Sequence, residues 1–414
     1  MNPNDIRNKG LSFETLAVHA GREDFEELGV HAPPLDLSTT YPTGPLEEAA
    51  ASMEALSQGQ GPTGSFIYAR LHNPTVARYE GALAALEGAE AAVAFASGMA
   101  ALTAVLLAVR DEGRNHVVAV RPLYGGSDHL LEERLLGHEV TFVAPDGIRE
   151  AVRPDTAVVL LETPGNPTLS LVDIEDAVRQ AGDVPVVVDS TFMTPVLQRP
   201  LELGAAMVLH SATKFLGGHG DVIAGIVATS QEWAARLRKV RVATGAILHP
   251  LAAFLLHRGL PTLAVRVKTA QDGARMIAER LARHPRVTSV HYPGLAGQDP
   301  RGLVGRQMAG PGSVLAFEVA GGFQAAGRVL GAVELMVSAV SLGSTDTLIQ
   351  HPAGLTHRCV TDEGRAATGI SASLLRISVG LEDPEDLWAD LEQALEKAEP
   401  AREAEHARRS TVVD

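Results

Sequence analysis

Short apolar segments alternate with longer helix-like segments through the middle of the chain, from about residue 66 to residue 260. Strands that are buried on both faces of a parallel sheet are apolar along their whole length, so the alternation predicts a mostly parallel sheet with helices on both faces. The pattern predicts strands at residues 91–96, 117–120, 140–144, 157–162, 184–189, 207–210 and 225–228.

The pattern is different on either side of this region. Residues 1–65 are rich in proline, glycine and polar residues and show little periodicity, which predicts an N-terminal arm that packs on a neighbouring subunit or on the main domain. A long helical pattern opens at Pro261, and we place a domain boundary there, between residues 66–260 and residues 261–398. The second part is predicted to be a smaller α+β domain, with strands at 288–292, 313–319, 335–340 and 374–379. Residues 399–414 are predicted to be a frayed or disordered polar tail.

Composition and charge narrow the class of protein. The chain has 414 residues, of which 45% are hydrophobic, enough for a large buried core. Its net charge of −15 argues against a nucleic-acid binder, which needs a basic face. The only cysteine, Cys359, allows no intrachain disulfide and is given no role. The chain shows neither an apolar signal core nor a run long enough to span a bilayer, so we expect a soluble cytoplasmic protein without a membrane partner.

Polar residues follow five of the predicted strands, where an open parallel sheet binds its ligands. The five segments are Ser97 to Met99, Tyr124 to Gly126, Glu162 to Pro167, Asp189 to Thr191 and His210 to Lys214. A lysine at the edge of a core is a candidate Schiff-base residue because desolvation lowers its pKa, although a strand-end lysine can also extend its amine to solvent. A helix that begins at Gly98 would favour a phosphate at its N-terminus.

Together these segments predict a site for pyridoxal 5′-phosphate (PLP). Lys214 would bind the cofactor, Asp189 would hold the pyridine nitrogen protonated, and Tyr124 would stack on the ring. Each residue also has an ordinary structural explanation, as a helix cap, a core aromatic or a helix start, but their occurrence at successive strand ends favours the site. No metal is predicted, because the histidines near residues 210–221 and 351–357 do not have the spacing of a metal site.

Nine stretches, in order, resemble motifs of the Cys/Met-metabolism family of PLP enzymes, the cystathionine γ-synthase and γ-lyase group. They are YARLHNPT (68–75), AFASGMAA (94–101), LYGG (123–126), ETPGNPT (162–168), VVDSTFMTP (187–195), HSATKFLGGHGDVIAG (210–225), SLG (341–343), HPAGLTH (351–357) and LLRISVGLE (374–382). The resemblance covers about residues 15–398. It implies the fold type I of PLP-dependent transferases (aspartate aminotransferase-like): a mostly parallel seven-stranded sheet flanked by helices, with a smaller C-terminal α+β domain.

The resemblance also implies roles for individual residues. Lys214 is the Schiff-base lysine and proton shuttle, Asp189 pairs with the pyridinium, and Tyr124 stacks and assists protonation of the leaving group. The implied phosphate ligands are Gly98, Met99, Ser211 and Thr213, joined by Tyr68 and Arg70 of the neighbouring subunit. The implied substrate contacts are Arg376, which binds the carboxylate, and Asn166 and Ser341, which orient cofactor and substrate. An active homodimer, assembled in pairs into a tetramer, follows from the same resemblance.

The expected reaction is γ-elimination from a sulfur amino acid, giving 2-oxobutyrate, ammonia and a thiol. Val340 resembles the small apolar residue of methionine γ-lyases, where cystathionine γ-lyases tend to have glutamate, so methionine is the first expected substrate, before cystathionine and homocysteine. Gly126 departs from this pattern, because methionine γ-lyases usually have cysteine there and LYGG resembles the cystathionine enzymes. Ser190 and Phe192 also differ from the residues that the family often has at these positions, an asparagine and a tyrosine. The alternatives are a cystathionine γ-lyase or γ-synthase, an O-acyl-homoserine sulfhydrylase that performs γ-replacement, and a non-catalytic binding protein on a PLP scaffold.

Overall fold

The computed structural model describes residues 10–111, 113–358 and 360–398, so Cys359 and the predicted tail at 399–414 lie outside the described residues. The helices are α1 Phe13–His19, α2 Phe25–Leu28, α3 Leu46–Ser57, α4 Pro74–Glu87, α5 Gly98–Val109, α6 Gly125–Glu132, α7 Ile148–Ala151, α8 Ile174–Ala181, α9 Thr194–Leu197, α10 Gln231–Thr244, α11 Pro250–Gly259, α12 Leu263–Leu281, α13 Gly322–Ala332, α14 Asp362–Ala367 and α15 Pro384–Lys397. The strands are β1 Ala91–Phe95, β2 His116–Val120, β3 Glu139–Val143, β4 Thr156–Glu162, β5 Val186–Asp189, β6 Met207–His210, β7 Gly225–Thr229, β8 Val287–His291, β9 Val314–Val319, β10 Val337–Ser338, β11 Leu348–Gln350 and β12 Leu374–Ser378. Short 3₁₀ turns cover Pro145–Gly147, Pro200–Leu203 and Leu260–Thr262.

A seven-stranded sheet forms at the predicted segments, with strand order β1-β7-β6-β5-β4-β2-β3. Strand β7 is antiparallel to both of its neighbours, and the other pairs are parallel. The connection from β6 to β7 contains no helix, so it cannot make the crossover that a parallel return needs, and β7 runs back along β6. The prediction of a mostly parallel sheet is confirmed.

Helices cover both faces of this sheet because consecutive strand residues point in opposite directions. Val208 of β6 packs in one core with Tyr79 of α4 and Leu256 of α11. The next residue, Leu209, packs in a second core, together with residues of α5 and α10. The central strands of the sheet are therefore covered on both faces.

A second sheet of five strands has the order β10-β11-β12-β9-β8 and packs on α12, α13 and α15. The predicted strand at 335–340 is shorter in the structure, where only Val337–Ser338 is extended. Strand β11 was not predicted, because three residues are too few to show an alternating pattern.

The N-terminal segment contains more regular structure than we expected. Helix α3 is favoured by its alanines and glutamates, a signal that the flanking proline and glycine residues obscured. Leu16 and Ala17 of α1 pack in the same core as α4 and α11 of this chain. Of the described helices, none is both long enough and apolar enough to cross a bilayer.

Candidate active site

The carboxyl ends of three neighbouring strands place polar side chains side by side. Glu162, the last residue of β4, lies beside Asp189, the last residue of β5, and Asp189 lies beside Leu209 of β6. The chain then turns at Ser211 and reaches Lys214 four residues after the end of β6. Parallel strands thus gather the predicted residues at one edge of the sheet, as expected.

Lys214 is half-buried, and its amine is held by a contact from the C-terminal part of the chain. Its backbone N–H donates to the carbonyl of Ser211 (3.1 Å), which forms the turn, and its Nζ donates to Ser341 Oγ at 2.7 Å. Burial, and secondarily the positive charge of Arg376, lower the pKa of Lys214 to about 8. The amine is therefore uncharged more readily than an exposed lysine, which is what Schiff-base chemistry requires.

The start of α5 and the lysine turn approach each other closely. A Cβ atom on Gly98 would lie 3.0 Å from the Cβ of Ser211, so only glycine fits there without displacement. Ser97 caps α5 by accepting the N–H of Ala100 (3.0 Å), which leaves the first N–H groups of the helix, at Gly98 and Met99, without helical partners. Such N–H groups favour an anion. Thr213 lies in the lysine turn, but its hydroxyl is bonded to the backbone of Ala224.

Asp189 is fixed by its neighbours on the same strand end. Its Oδ1 accepts the N–H (3.0 Å) and the hydroxyl (2.5 Å) of Thr191, and that hydroxyl accepts the N–H of Ser211 at 2.8 Å. Burial raises the pKa of Asp189, and the hydrogen bonds from Thr191 oppose this. A cation at this carboxylate, such as a protonated pyridine nitrogen, would stabilise its ionised form.

Arg376 lies in β12 and reaches the same place from the second sheet. It is 2% exposed; its Nη1 donates to Asn166 Oδ1 (2.9 Å) and its Nη2 to the carbonyl of Ser341 (2.6 Å). Burial lowers its pKa to about 10, while the charge of Glu162 opposes this change. No carboxylate among the described residues forms an ion pair with it, and its Nε is buried without a hydrogen-bond partner there. A buried cation of this kind is suited to a carboxylate ligand.

Tyr124 precedes α6 and is 42% exposed at the edge of this cluster. A Cβ on Gly126 would lie 2.7 Å from Tyr124 Cε1 and 3.4 Å from Met99 Sδ, so the aromatic ring lies over Gly126 and close to the start of α5. The predicted stacking residue and the predicted phosphate residues are therefore on the same side of the site.

Glu162 is a site residue to which the sequence analysis assigned no role. Its Oε2 accepts the N–H of Tyr124 at 2.7 Å, and its Oε1 accepts the N–H of Asn166 at 2.9 Å. Burial and the charge of Asp189 raise its pKa well above the ordinary value. Its position at the end of a buried strand was the available signal. Asn166 lies only four residues further along the chain, but Tyr124 is 38 positions away in another loop and does not show in the local sequence.

The contacts of Tyr68 and Arg70 are with groups outside this cluster, whereas Val340 adjoins it in the chain. Arg70 donates to the carbonyl of Val242 (2.8 Å) and lies over the ring of Tyr68, 5.5 Å from its centre. Within residues 10–111, 113–358 and 360–398, no hydrogen bond or ion pair joins either residue to Lys214. Val340, next to Ser341, is 51% exposed.

Two histidines of the site region, His210 and His351, are hydrogen-bonded to other groups of the chain. His210 pairs with Glu87 through a hydrogen bond of 2.5 Å in which both side chains are fully buried, and His351 bonds to the carbonyl of Ala372. The described part of the chain contains no group of His, Asp or Glu side chains arranged to hold a metal ion.

Comparison with known proteins identifies the family. Residues 14–396 match the model of the Cys/Met metabolism PLP-dependent enzymes. An L-methionine γ-lyase of Brevibacterium sandarakinum is 56% identical over 390 residues, which cover 94% of this chain and 98% of that protein. A crystal structure of cystathionine γ-synthase from Xanthomonas oryzae pv. oryzae in complex with cystathionine superposes with a TM-score of 0.86 at 36% identity, covering 94% of this chain and 99% of the other. A cystathionine γ-lyase from Micromonospora echinospora (CalE6) superposes with a TM-score of 0.83 at 39% identity, covering 94% and 100%.

The chain therefore belongs to the family of Cys/Met metabolism PLP-dependent enzymes. The predicted cofactor, PLP, and the predicted fold type I, with its smaller C-terminal α+β part, are both confirmed. The site fits this cofactor in its own right: it combines a half-buried lysine amine of lowered pKa, a carboxylate, an exposed aromatic face and a helix start that lies close to the lysine turn.

Proposed function

We propose that the protein cleaves L-methionine by γ-elimination, with water consumed and 2-oxobutyrate, ammonia and methanethiol released. The observation that carries this proposal is that Lys214 and Arg376 both donate hydrogen bonds to Ser341. An amine for proton transfer is thus held beside a cation for the substrate carboxylate. The 56% identity with an L-methionine γ-lyase supports methionine as the substrate.

The residues have separate tasks in this proposal. PLP, when bound, withdraws electrons from the substrate carbons. Lys214 would hold it, Asp189 would keep its ring nitrogen protonated, and the N–H groups at Gly98 and Met99, with the hydroxyl of Ser211, would bind its phosphate. Thr213 would join them by turning its hydroxyl from the Ala224 carbonyl to the phosphate. Tyr124 would cover the ring.

On the substrate side, Arg376 binds the carboxylate while Asn166 and Ser341 hold the guanidinium in place. Lys214, whose amine is uncharged more readily than usual, accepts the proton from the substrate Cα and then moves one from Cβ. The Tyr124 hydroxyl, on the exposed side of the site, protonates the departing thiolate.

A second candidate is a reaction with a larger substrate such as cystathionine, or γ-replacement on an O-acyl-homoserine. Gly126 favours it, since a cysteine there would carry a Cβ only 2.7 Å from the Tyr124 ring and would narrow the site. Val340, an apolar residue next to Ser341, favours the methylthio group of methionine instead.

A substrate panel separates the two candidates. The purified holoenzyme is supplied with methionine, homocysteine, cystathionine or O-acetyl-homoserine, with and without an added thiol, and 2-oxobutyrate and free thiol are measured. We expect methionine to release both products, and the Lys214→Ala variant to release neither. Good turnover of cystathionine without keto acid from methionine would overturn the methionine assignment, and a new amino acid formed from acyl-homoserine and thiol would identify γ-replacement.

We further propose that Tyr68 and Arg70 complete the active site of a neighbouring copy in a homodimer, and that two dimers form a tetramer. Both side chains are exposed in the single chain and make their contacts outside the Lys214 cluster. Lys214→Ala and Arg70→Ala are each expected to be inactive, whereas a refolded mixture should regain about a quarter of wild-type activity, because half of the dimers then contain one intact site. Light scattering measures the assembly, and a monomer that is fully active would refute the proposal.

Three remaining assignments are also proposals. We propose that residues 66–260 form the PLP-binding domain and residues 261–398 a second domain, because the two sheets lie within these ranges; limited proteolysis should cut between them. The N-terminal arm, residues 1–65, would contact the neighbouring subunit. A cytoplasmic location agrees with a single cysteine and can be tested by cell fractionation.

A further inference from the structure

Glu162 links two parts of the site that have different tasks. One carboxylate oxygen accepts the N–H of Tyr124 (2.7 Å), the residue at the cofactor ring, and the other accepts the N–H of Asn166 (2.9 Å). Asn166 in turn accepts a hydrogen bond from Arg376 at 2.9 Å. A single buried side chain, 6% exposed, therefore joins the aromatic face to the substrate-carboxylate arginine.

The chemistry of the contact requires a carboxylate. Each oxygen accepts a hydrogen bond from a backbone N–H group. A backbone N–H can only donate, so both positions need an acceptor. A glutamine offers one acceptor oxygen and one NH₂ group, so one of the two N–H groups would face another donor. A shorter aspartate keeps both acceptors but withdraws them from the loops by one methylene.

The two loops that Glu162 holds also pack directly on one another. A Cβ on Gly165 would lie 2.7 Å from Pro122 Cγ and 3.2 Å from the Pro122 carbonyl, so the loop before Tyr124 and the loop before Asn166 touch closely. The position of one loop therefore constrains the other, and the shared carboxylate fixes both relative to strand β4.

We propose that Glu162 is a positioning residue that sets Tyr124 against the cofactor and, through Asn166, sets Arg376 for the substrate carboxylate. Glu162 itself touches neither ligand in this inference, which rests on the proposed function. Its loss should weaken cofactor binding and amino-acid binding together, although the two ligands are held by different side chains.

The test measures binding, with turnover as a secondary readout. The apo-proteins of wild type and Glu162→Gln are first titrated with PLP. The reconstituted proteins are then titrated with L-norleucine, which has the shape of methionine but no leaving group. Both titrations are followed by the absorbance of the bound cofactor. We expect both dissociation constants to rise about 10-fold or more, since one backbone N–H loses its acceptor and the close packing of the two loops passes a shift of one to the other. Glu162→Asp should restore part of the loss.

Asp299→Asn is the matched control. The carboxylate of Asp299 also accepts one backbone N–H on each oxygen, from Leu303 (2.9 Å) and Val304 (2.8 Å), in a loop outside the Lys214 cluster. It should change the thermal midpoint of the apo-protein as a lost hydrogen bond does, and leave both dissociation constants within about twofold.

Each outcome decides the inference. Dissociation constants for Glu162→Gln within twofold of those for Asp299→Asn would overturn it, as would a rise in only one of the two. If the glutamine variant does not fold, the aspartate variant decides in the same way. A wild type that binds PLP but not norleucine instead refutes the proposed function, and is thereby distinguished from a failure of the Glu162 proposal.

Discussion

Replacing Lys214 should make the apo-protein more stable at neutral pH. Lys214 carries its charge in a half-buried place beside Arg376, which lowers its pKa from 10.5 to about 8. That difference corresponds to about 3 kcal/mol by which folding disfavours the protonated amine. Methionine at this position keeps most of the volume without the charge. The methionine variant also lacks the hydrogen bond to Ser341, and this loss reduces the expected gain by about 1 kcal/mol. The net expectation for Lys214→Met at pH 7 is a gain of about 2 kcal/mol in the free energy of unfolding.

The stability difference between Lys214→Met and wild type should depend on pH in one direction. The folded pKa lies below the unfolded one, so the destabilisation is fully present below about pH 8 and is lost as the pH rises from about 8 towards 10.5. The advantage of Lys214→Met should therefore shrink by about 1 kcal/mol between pH 7 and pH 9.

Denaturant unfolding of the apo-protein measures the effect, because bound PLP would stabilise only the wild type. Circular dichroism at pH 7 and pH 9, at two protein concentrations, separates chain unfolding from subunit dissociation. Lys239→Met, at an exposed position of α10, is the control and should change stability by less than about 0.5 kcal/mol. The reasoning is refuted if Lys214→Met is no more stable than wild type at pH 7, or if its advantage grows as the pH rises.

Three further changes test other parts of the structure. Tyr79→Phe should leave the free energy of unfolding unchanged or raise it by about 1 kcal/mol, because the Tyr79 hydroxyl is fully buried without a hydrogen-bond partner among the described residues; a loss above 1 kcal/mol in a denaturant titration would contradict this. Gly126→Ala places a Cβ 2.7 Å from the Tyr124 ring and should lower kcat/KM about 10- to 100-fold with little change in the thermal midpoint, so unaltered kinetics would show that the ring lies elsewhere. Gly343→Ala, at φ +76° and with a Cβ 2.6 Å from the backbone nitrogen of Phe215, should cost about 2–4 kcal/mol, measured by chemical unfolding; a variant as stable as wild type would rule out the close approach.

The sheet could be predicted because its strands are continuous apolar runs, and their order brought the right strand ends together. The proximity of Asp189 and Lys214 could be predicted from strand order alone, because Asp189 ends β5, Lys214 follows β6, and these two strands are neighbours. Arg376 was different. It lies 210 positions from Asn166 in the chain and reaches it from the second sheet, so local pattern could not show the contact, and the resemblance to a family supplied it.

The partners of Glu162 and of the histidines could not be predicted from the local sequence. The carboxylate of Glu162 accepts the backbone N–H of Asn166, four residues further on, and that of Tyr124, 38 positions away, and residue types do not show which backbone groups will donate. His210 is the first residue of the recognised motif at 210–225, yet its partner is Glu87 at the end of α4, 123 positions away. In both cases the residue type was visible and the partner was not, because the fold alone determines which groups meet.

Ser341 shows how the backbone itself joins the two halves of the site. Its φ of +92° is unusual for a residue other than glycine, and such a conformation is retained only where the surroundings impose it. In this conformation its hydroxyl accepts the Lys214 amine while its carbonyl accepts Arg376. Glycine would adopt the backbone conformation more readily but would have no hydroxyl for the lysine. The strain is therefore explained by the two contacts that it permits, one to the Lys214 amine and one to the Arg376 guanidinium.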